Sequence, residues 1–270
     1  PGVVCVPVIG PMSARLRATI AAAFSATAYA QGGTVASLSR QRILAWLVHL
    51  YTASGAALSA WAVIAVIARD FRLAWLLIAV TIAIDSTDGF LARRFQVKKV
   101  LPGIDGRRLD DIVDYLCWVF VPIIILMALG SLPAWAAAAP LIASGYGFAQ
   151  ADAKTPDNYF LGFPSYWSLV ALYLYLFNAP PLVTTSLILL LSVLVFVPFR
   201  YPYPTQMAIL RLPTLLLGVP WAILGFVLIL LTAPPRWLVL LFCYYPLYYL
   251  LLTIYLAWQR RTTERSVQSA

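Results

Sequence analysis

Residues 115–151 read YLCWVFVPIIILMALGSLPAWAAAAPLIASGYGFAQA, 37 consecutive positions without a charged side chain. A helix crossing a bilayer needs about 20 apolar residues. The run is therefore too long for one crossing, and Gly130-Ser131-Leu132-Pro133 supplies a natural break between two. Asn158–Phe199 is a second double-length uncharged run, broken at Asn178-Ala179-Pro180-Pro181. Single-length runs cover Ile43–Ala68, Leu212–Pro235 and Trp237–Gln259, and a further helix begins near Leu73 and stays apolar to Ile84 before meeting Asp85. These runs predict eight spans, at about 43–68, 73–93, 107–129, 133–151, 163–178, 181–199, 210–233 and 236–258. All should be helical, because lipid cannot satisfy an open sheet edge. The expected fold is an all-α polytopic membrane helical bundle.

Composition agrees. The 270 residues are 62% hydrophobic and 11% charged, with a mean hydropathy of +0.86, whereas soluble domains carry about 25% charged residues. A water-soluble enzyme and a disordered chain are both excluded. The net charge of +9 could suggest nucleic acid, but the basic residues sit in short gaps between apolar runs. With the chain starting inside, only Arg69, Arg72 and Arg236 fall on the outer side, leaving 16 of 19 Lys and Arg within. That asymmetry predicts cytoplasmic termini and no nucleic-acid partner. Cys5, Cys117 and Cys243 are scattered and odd in number, so they form neither a disulfide framework nor a zinc site. Residues 1–38 include a weakly signal-like Met12–Ala30 stretch and are expected to be a disordered or interfacial extension. Residues 39–262 form the membrane domain, and 263–270 a cytoplasmic tail.

Ten acids occur in the chain, and six of them are Asp85, Asp88, Asp105, Asp110, Asp111 and Asp114. Asp85 and Asp88 share a face of the second span at i, i+3; Asp110 and Asp114 share one of the third at i, i+4. A cytoplasmic loop joins these spans, so the four carboxylates can converge. They would repel one another unless cations lay between them, and oxygen-only ligands suit Mg²⁺ or Mn²⁺. Ion pairing with Arg93, Arg94 and Arg108 is the simpler alternative, but intramembrane carboxylates are costly and point to function. Gly89, Ala92 and Gly106 lack bulk near the acids, and Arg93 adds a cation for phosphate oxygens. Together they read as a diphosphate site for phosphoryl transfer.

DSTDGFLAR at 85–93 followed by GRRLDDIVD at 106–114 resembles the DxxDGxxAR…GxxxDxxxD signature of the CDP-alcohol phosphotransferases. Twelve residues, 94–105, separate the two halves, more than is usual in the family. The longer gap is similar to that of the bacterial branch joining CDP-diacylglycerol directly to choline. WLVHLYTASG at 46–55, GFAQ at 147–150 through Lys154-Thr155, and YFLGFPSYW at 159–167 resemble the same branch. The resemblance covers about residues 40–260. It implies eight helices, a homodimer, and a site open to the cytoplasm of a bacterial inner membrane. It also implies that Asp85, Asp88, Asp110 and Asp114 hold two divalent cations, Mn²⁺ or Mg²⁺. Gly89, Ala92, Arg93 and Gly106, with Thr52 nearby, would bind CDP-diacylglycerol. Asp114 would double as the catalytic base for the choline hydroxyl.

A quaternary ammonium offers no hydrogen bond, so its recognition requires aromatic faces and negative charge. Nine aromatics lie between Tyr146 and Tyr175; Tyr146, Tyr159, Tyr166 and Trp167 are the candidate choline-binding residues, with Asp152 and Asp157 among them. The alternative is an interfacial aromatic belt. Acceptors such as glycerol phosphate or an inositol phosphate would need cations near the site, and the 150–165 loop offers only Lys154. Serine is another candidate acceptor. A cation transporter would leave the DGxxAR segment unexplained. The single histidine, His49, reads as a packed or interfacial residue.

Overall fold

The computed structural model describes residues 35–150, 155, 159–204, 207 and 209–268. The extension expected at 1–38 therefore lies almost wholly outside the described residues, as do Asp152, Lys154 and Asp157. Helix α1 (Val35–Ile67) turns at Ala68–Asp70 into α2 (Phe71–Arg94). The Asp70 carboxylate caps α2 by accepting from the Leu73 N–H at 2.9 Å. The hairpin returns α2 along α1, setting Tyr51 against Thr87 and Thr52 against Asp88. A four-residue helix, α3 (Val97–Val100), occupies the following connection. Val97 packs with Ala45 and Val48 of α1 in a small apolar cluster that fixes this loop.

Next comes one continuous rod with three registers: α4 (Gly106–Asp114), a π-helical turn over Tyr115–Phe120, and α5 (Val121–Ala128). The Asp105 carboxylate caps α4, accepting from the N–H groups of Arg107 and Arg108. Pro122 accounts for the widened turn: it has no N–H, and its ring crowds the carbonyl one turn back. In π register the Val121 N–H reaches Leu116 O, so Cys117 O would look to Pro122 for a donor. It accepts instead from Ser168 Oγ at 2.6 Å. The rod is thereby tied to a helix 51 residues later.

The remaining helices are α6 (Ala134–Ala149), α7 (Trp167–Leu176), α8 (Pro181–Leu194), α9 (Arg211–Leu230), α10 (Arg236–Phe242) and α11 (Tyr244–Gln268). Pro246 leaves Phe242 O without its helical donor, and Tyr173 Oη donates to it at 2.7 Å. Two short strands, β1 (Tyr159–Leu161) and β2 (Arg200–Pro202), pair antiparallel with Phe160 opposite Tyr201. The sequence reading had no strand there. The ribbon joins two interhelical loops on one side of the bundle.

Trp75, Trp167, Ile123, Ile125, Ile188 and Phe242 fill the core. Three buried hydroxyls are satisfied locally: Thr81, Ser192 and Thr253 each donate to the carbonyl four residues earlier. Outward faces carry exposed Trp61, Ile64, Leu182, Leu216, Trp237 and Leu250, a surface suited to lipid. Among the described residues, five segments are long and apolar enough to cross a membrane: Ser39–Ile67, Phe71–Arg94, Gly106–Ala128, Arg211–Leu230 and Arg236–Arg260. The protein is an all-α integral membrane protein with several crossings. Helices also occur at the other three expected spans, but α6, α7 and α8 have only 16, 10 and 14 residues. Two of the three arginines expected outside have structural work: Arg69 donates to Ala128 O and Arg72 to Leu230 O, at the C-terminal ends of α5 and α9. Helix α1 begins at Val35 and α11 continues to Gln268.

Candidate active site

The second half of α2 and the first turns of α4 supply the acids, and α1 packs against both. Close approach depends on Gly55 of α1. A Cβ there would lie 2.5 Å from Val113 Cγ1 and 3.1 Å from Thr81 Cγ2. With no side chain at 55, the carboxylate-bearing faces of α2 and α4 meet beside Thr52. One oxygen from each of Asp85, Asp88 and Asp110 lies within 4.8 Å of the others, and these three could hold a metal ion. Asp88 is buried and accepts a 2.7 Å hydrogen bond from Thr52 Oγ1. The Trp118 indole Nε1–H donates to Asp85 Oδ2 at 3.2 Å. Asp114 lies against Asp85, with Asp110 and Asp88 as further charges nearby. Its Oδ1 is buried and has no hydrogen-bond partner. A buried carboxylate oxygen left in this way is costly unless a cation or a donor fills the position. An all-oxygen cluster with such an atom fits Mg²⁺ or Mn²⁺.

The small residues have more specific neighbours than lack of bulk alone suggests. A Cβ at Gly89 would sit 3.3 Å from Arg93 Nη1, so the glycine leaves room for the guanidinium one turn later. A Cβ at Gly106 would sit 3.1 Å from His49 Cε1. His49 is buried at 8% exposure, and its Nε2 has no hydrogen-bond partner. Ala92 packs in the small cluster around Val97. Asp105 is a helix cap and pairs with Arg108 at 3.4 Å.

The four aromatic candidates separate. Tyr166 stands 5.8 Å, centroid to centroid, from Trp118, which itself bonds Asp85. Trp167 is fully buried, packs edge-on against Phe163, and donates Nε1–H to Ser144 Oγ at 2.6 Å. It presents no free face to a ligand, because the first turn of α7 points it into the core. Tyr159, on β1, has the Arg260 guanidinium 4.2 Å above its ring, so that face already has a cation. Tyr146 is half exposed and packs on Phe196, beside a cleft of about 320 Å³ lined by Leu161, Gly162 and Val195. A larger groove of about 690 Å³, lined by Met127, Trp135 and Leu182, lies beyond the far end of α5 and away from the acids.

Sequence reasoning missed Trp118. Its signal was spacing: it follows Asp114 by four residues and Asp110 by eight, continuing the acidic stripe.

Residues 45–198, which contain every acid of this cluster, match the family described as CDP-alcohol phosphatidyltransferase. The chain belongs to that family. Three similar relatives share a name. A phosphatidylcholine synthase of Legionella pneumophila is 45% identical over 172 residues, covering 62% of this chain and 68% of that protein. The phosphatidylcholine synthase of Borreliella burgdorferi is 37% identical over 177 residues, or 63% and 74% of the two chains. That of Rhizobium meliloti is 34% identical over 203 residues, or 73% and 84%.

Proposed function

We propose that the protein transfers the phosphatidyl group of CDP-diacylglycerol to choline, forming phosphatidylcholine and CMP. The observation that carries this reading is the convergence of Asp85, Asp88 and Asp110, with the unpartnered Asp114 oxygen beside them, inside the segment matching the family. Similarity to proteins named phosphatidylcholine synthase supports choline as the acceptor.

In this mechanism Asp85, Asp88, Asp110 and Asp114 hold two divalent cations, Mn²⁺ or Mg²⁺. When bound, the metal supplies positive charge that neutralises the diphosphate. Thr52 holds one Asp88 oxygen by its 2.7 Å hydrogen bond and so orients that carboxylate. Arg93 binds phosphate oxygens beside Gly89. Asp114 takes the proton from the choline hydroxyl. The choline oxygen forms its bond to the phosphorus bearing diacylglycerol while that phosphorus loses its bond to the bridging oxygen, which leaves with CMP. Acyl chains remain in lipid beside the apolar helix faces.

The working unit in this reading is residues 39–262, assembled as a homodimer in a bacterial inner membrane with both termini and the acids cytoplasmic. The charge asymmetry supports the orientation; family membership supports the dimer. Tags after Gln259 and within the Lys98–Pro102 loop should both report cytoplasm, and a tag near Pro234 the outer side. Opposite compartments for the first two would overturn this orientation.

The decisive assay supplies purified protein with CDP-diacylglycerol, Mn²⁺ or Mg²⁺, and choline, serine or glycerol phosphate in parallel. CMP release should require both choline and metal, stop on chelation, and return when metal is restored. Release with serine or glycerol phosphate instead would assign a sister transferase. No release with any acceptor would leave the cation-transporter reading.

A further inference from the structure

We infer that Trp118 and Tyr166 form the seat for the acceptor's quaternary ammonium, with Asp85 supplying charge at its edge. The inference rests on choline being the acceptor. Its geometric basis is independent of that assignment.

Trp118 is pinned at one edge, where Nε1–H donates to Asp85 Oδ2 at 3.2 Å. The indole is thereby held next to the acid cluster, while Trp118 and Tyr166 both stay only half-buried. Their rings lie 5.8 Å apart with planes inclined at 53°, tilted rather than stacked face to face. At that spacing a cation beside the pair can sit within about 6 Å of both ring centroids, the range in which the ring quadrupole attracts it.

Tyr166 is buttressed from behind. Phe160 of β1 meets it edge-on, with centroids 6.4 Å apart and planes at 84°, and Phe160 in turn packs 4.8 Å from Tyr203. The Tyr166 hydroxyl interacts with that of Tyr249, which donates to Pro202 O at 2.9 Å. The β-ribbon and α11 thus converge on one tyrosine, and the π turn carries the other ring. π turns within helices are frequent at functional sites. Here the turn starts directly after Asp114 and holds Trp118.

Length also fits. Trp118 follows Asp114 by four residues, within a single turn, and choline measures about 5 Å from hydroxyl oxygen to N-methyl by standard bond lengths. An ammonium on the Trp118 face therefore leaves the hydroxyl near Asp114, the proposed base. Neither aromatic face can donate a hydrogen bond to the cation or needs one from it, which suits a quaternary head better than a primary amine.

The test uses full-length protein in detergent or vesicles, with CMP release as readout and choline, N,N-dimethylethanolamine and ethanolamine as acceptors. Trp118→Leu and Tyr166→Leu should each raise the choline KM by about 2- to 30-fold. At saturating metal the CDP-diacylglycerol KM should stay within about threefold, and the preference for choline over N,N-dimethylethanolamine should shrink. Trp118→Phe keeps a face but loses the donor to Asp85; it should retain most of the choline affinity while needing more metal. Unchanged choline KM and preference in both leucine variants would overturn the inference. So would equal weakening for both substrates in both, since packing alone predicts that result. Wild-type protein that releases no CMP with choline would overturn the functional reading itself, and the inference with it.

Discussion

Asp114→Asn is expected to lower choline-dependent CMP release by about 10²- to 10⁴-fold, the usual span for a lost general base. The amide matches the carboxylate in size, so packing against Asp85 persists, but it cannot take up the hydroxyl proton. Asp114 Oδ1 is buried and lacks a hydrogen-bond partner in the protein, so that oxygen is uncommitted, whereas Asp85, Asp88 and Asp110 are the carboxylates placed to hold the metal. Binding of CDP-diacylglycerol should be largely retained. Asp88→Asn provides the contrast: its carboxylate is anchored by Thr52, and the substitution should raise the metal concentration required for turnover. A manganese titration of each variant, read against maximal rate, separates the two roles. Near-normal turnover by Asp114→Asn would remove it as the base.

Gly55→Val should be strongly damaging although it lies away from the acids in sequence. The added Cβ would meet Val113 Cγ1 at 2.5 Å and Thr81 Cγ2 at 3.1 Å. Val113 and Thr81 are 3% and 1% exposed, so neither has open space into which to move. Overpacking of this kind costs about 1–3 kcal/mol, and for a chain of this size each kcal/mol lowers Tm by about 2–4 °C. Relief requires α1 to move away from α2 and α4. Thr52, one turn before Gly55, would then lose its hold on Asp88, and turnover should fall along with Tm. Gly55→Ala introduces the same Cβ and should show a milder version. Gly103→Ala is the control, since a Cβ there meets nothing within 4 Å. Wild-type Tm and activity for Gly55→Val, measured by thermal scan in detergent and by CMP release, would refute the close-approach argument.

Much of the site was legible because it is local. The pairs Asp85/Asp88 and Asp110/Asp114 lie within single helices, where spacing alone sets the shared face. Their convergence followed from one short connection, and the structure brings Asp85, Asp88 and Asp110 together. The opposite holds for the aromatic residues. Tyr166 and Trp167 are adjacent in sequence, yet one looks towards Trp118 and the other into Ser144. No composition rule separates them, because the start of α7 and its packing against α5 and the π turn decide which side chain turns inward.

Sequence by itself determined the membrane class, the positions of the long helices and the acid stripe. Each is a property of consecutive residues: apolar length, charge gaps, or i, i+3 and i, i+4 spacing. Only the tertiary structure decided that Pro122 widens a turn rather than ending the helix, with Ser168 supplying the missing donor across 51 residues. It alone paired β1 with β2 and brought Trp118 to Asp85 over 33 residues. The physical reason lies in the solvent. In a soluble helix the polar face marks the outside, but lipid and protein core are both apolar, so a membrane helix need not reveal in its sequence which apolar face packs inward. That choice is made by steric fit and by buried hydrogen bonds between segments distant in the chain.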